Sequence, residues 1–423
     1  MSEIFHSVTL DKDKCHGCTN CIKMCPTQAI RVRNGKAKII KERCIDCGEC
    51  IRVCPYHAKK AITNSFDVLK EYKYNIALPA PTFYGQFAKV NNINLILNAL
   101  KKIGFDDVFE VAYAAQIISN ESKKIIAEGR IQKPVINSAC PTVVKLICAR
   151  FPSLIDHILP VISPMNFSAR MARAIAKEKT NFTDEEIGVF FITPCAAKAT
   201  CAHIPIGADK SYINGTFSVK DTYLKVLPYI NSGEEAEKLS RADFDGVCWA
   251  VSGGEAAGIN VENYISVDGI NNVIEVMDAI ENDKMTDIDF VEALACVGGC
   301  VGGPLNVENN FVAKARIKKL RSCMGERKAD IPDSIDVKWN IPVVPNTVLN
   351  LDNNLVVAMQ KMEKLNEIYE TLPKLDCGSC GAPSCRALSE DIVRGFATET
   401  DCIFKFREKV SDLAKEMMDI ENH

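Results

Sequence analysis

The sequence predicts a multidomain protein of mixed α/β and α+β class. A cysteine-rich front segment precedes a central body of parallel-sheet α/β lobes, and a small helical segment follows. Three observations support this. The 423 residues exceed what one ordinary core organises, so roughly two to four domains are expected. Apolar runs suited to buried parallel strands recur through the middle, bounded by Pro and Gly. The 20 cysteines fall mostly into spaced groups at the front, along the middle and near the C-terminus.

Bulk composition excludes several classes. Hydrophobic content of 47% and charged content of 25% are those of a globular chain. Fifty-one basic against 54 acidic side chains give a net charge of −3, so neither nucleic acid nor an anionic membrane is an expected partner. No charged-then-apolar leader opens the chain and no apolar run of about 18 residues occurs, so a cytoplasmic protein is expected. In such a protein, clustered cysteines read as metal ligands or catalytic thiols rather than disulfides.

The front segment, residues 1–62, carries Cys15, Cys18, Cys21 and Cys25-Pro26, then Cys44, Cys47, Cys50 and Cys54-Pro55. Both are C-x2-C-x2-C-x3-C-P, the bacterial ferredoxin run, in which the fourth thiolate binds the neighbouring cluster. Cys15, Cys18, Cys21 and Cys54 are thus expected on one [4Fe–4S] cluster, and Cys44, Cys47, Cys50 and Cys25 on the other. Zinc sites group thiols as two pairs, a poorer match. Short β-prone pieces such as Ala29-Ile30-Arg31-Val32 follow the runs.

The middle, residues 63–350, reads as strands and helices in alternation. Asn75-Ile76-Ala77-Leu78 is strand-like, residues 92–103 have helical spacing, and residues 105–111 resemble a second strand. Pro134-Val135-Ile136-Asn137 delivers Cys140, and the apolar run from Ile187 to Ile192 delivers Cys195. Residues 244–251 read as a further strand. Ligands gather beyond the carboxyl ends of strands in open α/β sheets, so Cys140 and Cys195 are expected in one pocket. A third anchor is Ala295-Cys296-Val297-Gly298-Gly299-Cys300-Val301-Gly302-Gly303-Pro304, two soft thiol ligands among glycines that let backbone approach a bulky group. No P-loop or dinucleotide fingerprint appears, so ATP or nicotinamide chemistry is not expected.

The last segment, residues 351–423, begins with a predicted helix over 353–372. It continues to Cys377, Cys380 and Cys385, with Cys402 beyond. These four supply one more [4Fe–4S] site, with zinc the competing occupant. Residues 404–418 read as an amphipathic helix whose apolar face is expected to pack within the domain, with partner docking the alternative use. Cys148, Cys201, Cys248 and Cys323 lie outside every motif and read as buried fillers.

Asn137-Ser138-Ala139-Cys140-Pro141, Thr193-Pro194-Cys195-Ala196-Ala197-Lys198 and the Cys296/Cys300 loop, behind a ferredoxin front, resemble the [FeFe]-hydrogenases. That family carries T-S-C-C-P, M-P-C-x-x-K and M-x-C-x-x-G-C-x-x-G-G-G elements in this order. The extra C-terminal cluster segment resembles the branch called group D, regarded as sensory. The resemblance implies that Cys140, Cys195, Cys296 and Cys300 hold the cubane of an H-cluster. Cys300 would bridge to a two-iron subsite carrying carbonyl, cyanide and a dithiolate. Lys198 would bond one cyanide, and Ala80-Pro81-Thr82 and Ser163-Pro164 would line the same pocket. Simpler readings stand beside these: Pro81 ends a strand, and Ser163 caps a helix.

The implied activity is H2 ⇌ 2H⁺ + 2e⁻, with electrons relayed through the three further clusters to a ferredoxin or similar partner. Separate maturation proteins, and a signalling partner for a hydrogen sensor, are implied as well. A non-catalytic iron–sulfur scaffold on the same fold is the alternative. Departures from the pattern bear on rate. Ala139 replaces the family's proton-passing cysteine, Glu121 alone remains of a glutamate pair, and Leu294 and Met165 replace Met and Gln. Slow turnover is therefore expected.

Overall fold

The computed structural model describes residues 5–230, 236–324 and 336–421. Compaction does not follow chain order. One unit is built from Ala61–Pro345 with Ile45–Gly48 and the N-terminal residues through Val8; the other joins Thr9–Cys44 and Glu49–Lys60 to the chain from Asn346 onward.

The larger unit holds two parallel sheets. In the first the strand order is Asp107–Val108, Tyr74–Pro79, Ile187–Thr193, Gly215–Ser218, with Ile76 opposite Val189 and Phe191 opposite Thr216. All seven residues of Ile187–Thr193 are buried, as a strand covered on both faces requires. The second sheet orders Tyr264–Asp268, Phe290–Leu294 and Val135–Ile136, also parallel. Helices Val111–Ala127 and Pro164–Thr180 pack beside the sheets, the latter capped by Ser163, whose hydroxyl accepts from Asn166 N at 3.3 Å.

Two predicted strands are corrected. Residues 244–251 contain the helix Phe244–Cys248, because the Asp243 side chain accepts from Asp245 N (2.9 Å) and Gly246 N (3.3 Å) and so caps a first turn. In the 105–111 stretch only Asp107–Val108 pairs as strand, and Val111 already opens the next helix.

In the smaller unit, Ile30–Arg33 pairs antiparallel with Lys36–Ile39, and helices Leu355–Thr371 and Cys385–Val393 enclose a small core of Ile368, Leu372, Ala382 and Leu388. Front and C-terminal segments are bolted together by charge. Arg31 holds Asp391 bidentately, Nε–Oδ2 at 2.6 Å and Nη2–Oδ1 at 2.9 Å, with both residues buried. Arg33 adds a third contact to Asp391 at 3.1 Å, and Arg43 pairs with Glu390.

Val32 N also donates to Gly381 O at 2.8 Å. Gly381 has φ +79°, and a Cβ there would sit 1.8 Å from Val32 O. The terminal helix Ile403–Glu421 forms as predicted, but its apolar face does not pack: Ile403, Phe406, Val410, Leu413 and Met417 are exposed. The helix lies beyond the small core, which Cys402 closes.

Candidate active site

Three cysteines of the larger unit follow the carboxyl ends of parallel strands, and of these Cys300 lines the unit's cavity. Cys140 follows Val135–Ile136 and opens the helix Pro141–Arg150, while Cys195 follows Ile187–Thr193 and opens Ala196–His203. Cys300 starts a short turn after Phe290–Leu294. Lys198 lies one turn into its helix and places Nζ 3.5 Å from Cys300 Sγ.

Burial opposes the ammonium charge. The Cys300, Cys195 and Cys140 sulfurs nevertheless overcome it and hold Lys198 above the usual lysine range. Burial likewise pushes the Cys195 thiol up to about 11, against the pull of Lys198. A cation among soft donors fits an anionic metal–thiolate group, so the residues present suit the H-cluster cubane.

The cavity, about 50 Å³, is walled by Ala80, Pro81 and Thr82 on one side and by Ala139, Pro164, Lys198 and Cys300 on others. These predicted pocket residues are thus brought together; Ser163 is the exception, serving as the helix cap. Met165 and Leu294 also line it. Cys296 is half-buried at the start of the glycine loop, its carbonyl accepting from Gly299 N at 3.0 Å.

The loop is pressed onto the 250–252 turn: Val301 N donates to Ala250 O at 3.0 Å, and Ser252 N to Gly298 O at 3.1 Å. Gly299 has φ +91°, and a Cβ would meet Ser252 N at 2.6 Å. Gly299→Ala should therefore cost on the order of 1–3 kcal/mol and misplace Cys300, read as a lower thermal midpoint with reduced iron binding.

Four of the front cysteines also converge. Cys15, Cys18, Cys21 and Cys54 wall one cavity, with Lys59. Ala58 N donates to Cys54 Sγ at 3.2 Å, Ala29 N to Cys25 Sγ at 3.2 Å and Ala37 N to Cys15 Sγ at 3.4 Å; cluster thiolates accept such bonds. Cys50 is buried beside Cys25 and Cys21, burial pushing its thiol up to about 12. Cys44 ends the turn Lys41–Arg43, and Cys47 packs against the core of the larger unit. Near the C-terminus, Cys385 and Cys402 are buried, Cys380 is half-buried and Cys377 exposed, with Cys380 influenced by both Cys377 and Cys402.

A family model for the iron-only hydrogenase large subunit, C-terminal domain, matches residues 73–206 and 212–304, more than half of the chain. The chain belongs to this family. A 4Fe-4S dicluster model matches residues 7–55 of this iron-only hydrogenase family member, and an Fe-S cluster model matches 372–404.

Among relatives, the periplasmic [Fe] hydrogenase large subunit of Nitratidesulfovibrio vulgaris is 32% identical over 212 residues, 46% of this chain and 50% of that protein. Iron hydrogenase 1 of Clostridium pasteurianum is 22% identical over 389 residues, 75% of this chain and 68% of that one. The chain thus spans half the length of the first relative and about two thirds of the second. A solved [FeFe]-hydrogenase from Chlamydomonas reinhardtii is 15% identical, covers 62% of this chain and 88% of that one, and superposes with a TM-score of 0.48.

Sequence reasoning missed two residues of this hydrogenase-family cavity, and a third that holds the Cys300 turn. Glu255 and Glu292 line the cavity, both buried. Glu292 accepts from Gly253 N (3.0 Å) and Ala256 N (2.9 Å), whereas Glu255 is bonded by Asn137 Nδ2 at 2.6 Å. Burial first, and the neighbouring Glu292 charge second, push the Glu255 carboxyl well above the usual range. A signal existed: Glu292 is a lone charge in the apolar strand Phe290–Leu294. Asn306 pins the Cys300 turn, its Nδ2 donating to the Cys300 and Val301 carbonyls at 2.8 Å each.

Glu121, the carboxylate that sequence singled out, lies outside this cavity's lining and pairs with Lys124 at 2.7 Å. Of the cysteines read as fillers, Cys148 and Cys201 are buried in apolar clusters, Cys248 is half-buried and Cys323 is exposed, so the filler reading fails for Cys323.

Proposed function

We propose that this chain catalyses H2 ⇌ 2H⁺ + 2e⁻ at an H-cluster, slowly enough to suit a hydrogen sensor of the group D type. The single observation that carries the reading is Lys198 Nζ, 3.5 Å from Cys300 Sγ and facing the cavity among Cys140 and Cys195. When bound, the H-cluster supplies the hydrogen-activating chemistry. The chain's own part is to hold that group through Cys140, Cys195, Cys296 and Cys300 and to orient it through Lys198. The apolar walls exclude water, and a proton is kept at Glu255, where Ala139 offers none.

Electrons pass to the two front clusters and the C-terminal one, and then to a ferredoxin-type partner. Cytoplasmic placement and dependence on maturation proteins belong to the same proposal; no described helix is long and apolar enough to cross a membrane. Ala139 in the cavity wall is equally compatible with a second reading, a non-catalytic iron–sulfur scaffold.

Infrared spectroscopy of anaerobically matured protein separates them, because iron-bound carbonyl and cyanide absorb where protein does not. Bands are expected, together with about 18 iron atoms per chain from four cubanes and a two-iron subsite. Cys300→Ser should abolish the bands and Cys148→Ser should keep them. Absence of bands in the fully matured wild type would leave the scaffold reading, and stoichiometric zinc lost on mutating Cys377 would reassign the C-terminal site.

A further inference from the structure

The two front cysteine runs are an internal repeat, and one position breaks it. Cys25-Pro26-Thr27-Gln28-Ala29-Ile30 corresponds to Cys54-Pro55-Tyr56-His57-Ala58-Lys59. The backbones agree closely. Gln28 and His57 both have φ +50°, and Ala29 N and Ala58 N each donate to the preceding cysteine sulfur at 3.2 Å. Both sixth residues are buried, Ile30 at 2% exposed and Lys59 at 3%. One half of the repeat therefore buries a side chain that belongs in a core, and the other buries an ammonium.

A buried lysine is costly unless something compensates it. Lys59 Nζ has no hydrogen-bond partner among the described residues. Its neighbour Lys60 behaves ordinarily, exposed and facing Asp11 at 3.5 Å. What surrounds Lys59 instead is sulfur. It lines the cavity formed by Cys15, Cys18, Cys21 and Cys54, and its charge acts on both Cys21 and Cys50. Those two thiols belong to the two different ligand sets read from the sequence. A structural role in packing would be met by the isoleucine of the other half, which the fold accepts at the same depth.

We propose that Lys59 is a fixed buried cation set between the two front iron–sulfur sites, where it makes both easier to reduce. The inference rests on the reading of these cysteines as cluster ligands. Each one-electron reduction adds one negative charge to a site that four thiolates already make anionic. In a low-dielectric interior a nearby ammonium favours the reduced form, and it offsets the repulsion between two reduced neighbours. The electron comes from the hydrogen-oxidising site in the proposed function, or from dithionite in the test.

The test is an EPR-monitored potentiometric titration of the full-length protein with its clusters in place. In Lys59→Ile, at a fixed potential, the reduced-to-oxidised ratio of both front clusters should fall at least tenfold, about 59 mV for a one-electron couple. Lys59→Arg, which keeps the charge, should stay near wild type. If Lys59→Ile retains its iron and both potentials are unchanged, or if Lys59→Arg shifts as far as Lys59→Ile, the inference is wrong while the cluster reading stands. Lys59→Met, which keeps the aliphatic stem, repeats the measurement should the isoleucine variant bind iron poorly. Iron loss in both variants would overturn the inference, since Lys59 would then hold the site together rather than set its potential. A wild type without front-cluster signals would remove both readings together.

Discussion

Glu255→Gln should slow hydrogen oxidation by the matured protein by about 10²–10⁴-fold, the usual contribution of a positioned acid–base group. Glutamine keeps the size and the bond to Asn137, which is 2.6 Å from Glu255 Oε2, but carries no exchangeable acid proton. Ala139, in the same wall, offers no substitute, and Glu121 is outside the cavity lining and tied to Lys124. Turnover with excess acceptor is the measurement, with infrared bands confirming that the cofactor is intact in the variant. A rate within twofold of wild type would mean that protons leave by another route.

The pH dependence has a definite sign. Burial and the Glu292 charge raise the folded Glu255 pKa to about 8, above its unfolded value. The folded state therefore holds the proton more tightly, and this contribution to stability is complete below the unfolded pKa. It is lost as pH rises through about 8. Thermal midpoints should fall across that window in wild type and fall less in Glu255→Gln.

Asp391→Ala should cost about 3–5 kcal/mol and loosen the C-terminal segment, because it strands a buried guanidinium. Arg31 is 5% exposed and donates two bonds to Asp391, and Arg33 loses its contact to Asp391 in the same change. The reading is a lower thermal midpoint together with faster proteolysis between Asn346 and Cys377. Replacing both partners with apolar residues, Arg31→Met with Asp391→Leu, should recover most of the loss, since neither charge then needs solvation. A loss below about 1 kcal/mol in Asp391→Ala would show that the pair behaves as a surface salt bridge.

Much of the site was legible in the sequence because its chemistry is local. A C-x2-C run wraps a few residues around one inorganic group, so spacing alone names Cys15, Cys18, Cys21 and Cys54, which the fold brings around a single cavity. The strand at Ile187–Thr193 was equally plain, since a run buried on both faces has no polar side to disguise it. The helix at Phe244–Cys248 was not, because its apolar residues suit either period until the Asp243 cap selects one.

What only the tertiary structure decided are the meetings of distant residues. Glu255 and Glu292 become one buried pair because the strand Phe290–Leu294 sets its charge beside the helix Gly254–Ile259. Arg31 and Asp391 stand 360 positions apart, and nothing near either predicts the other. Lys59 and Ile30 look unremarkable until the fold puts both at the same depth in a repeat. Burial is a property of everything packed around a residue. A sequence shows which side chains can ligate or titrate, and only packing shows which of them lose water and what charge they then face.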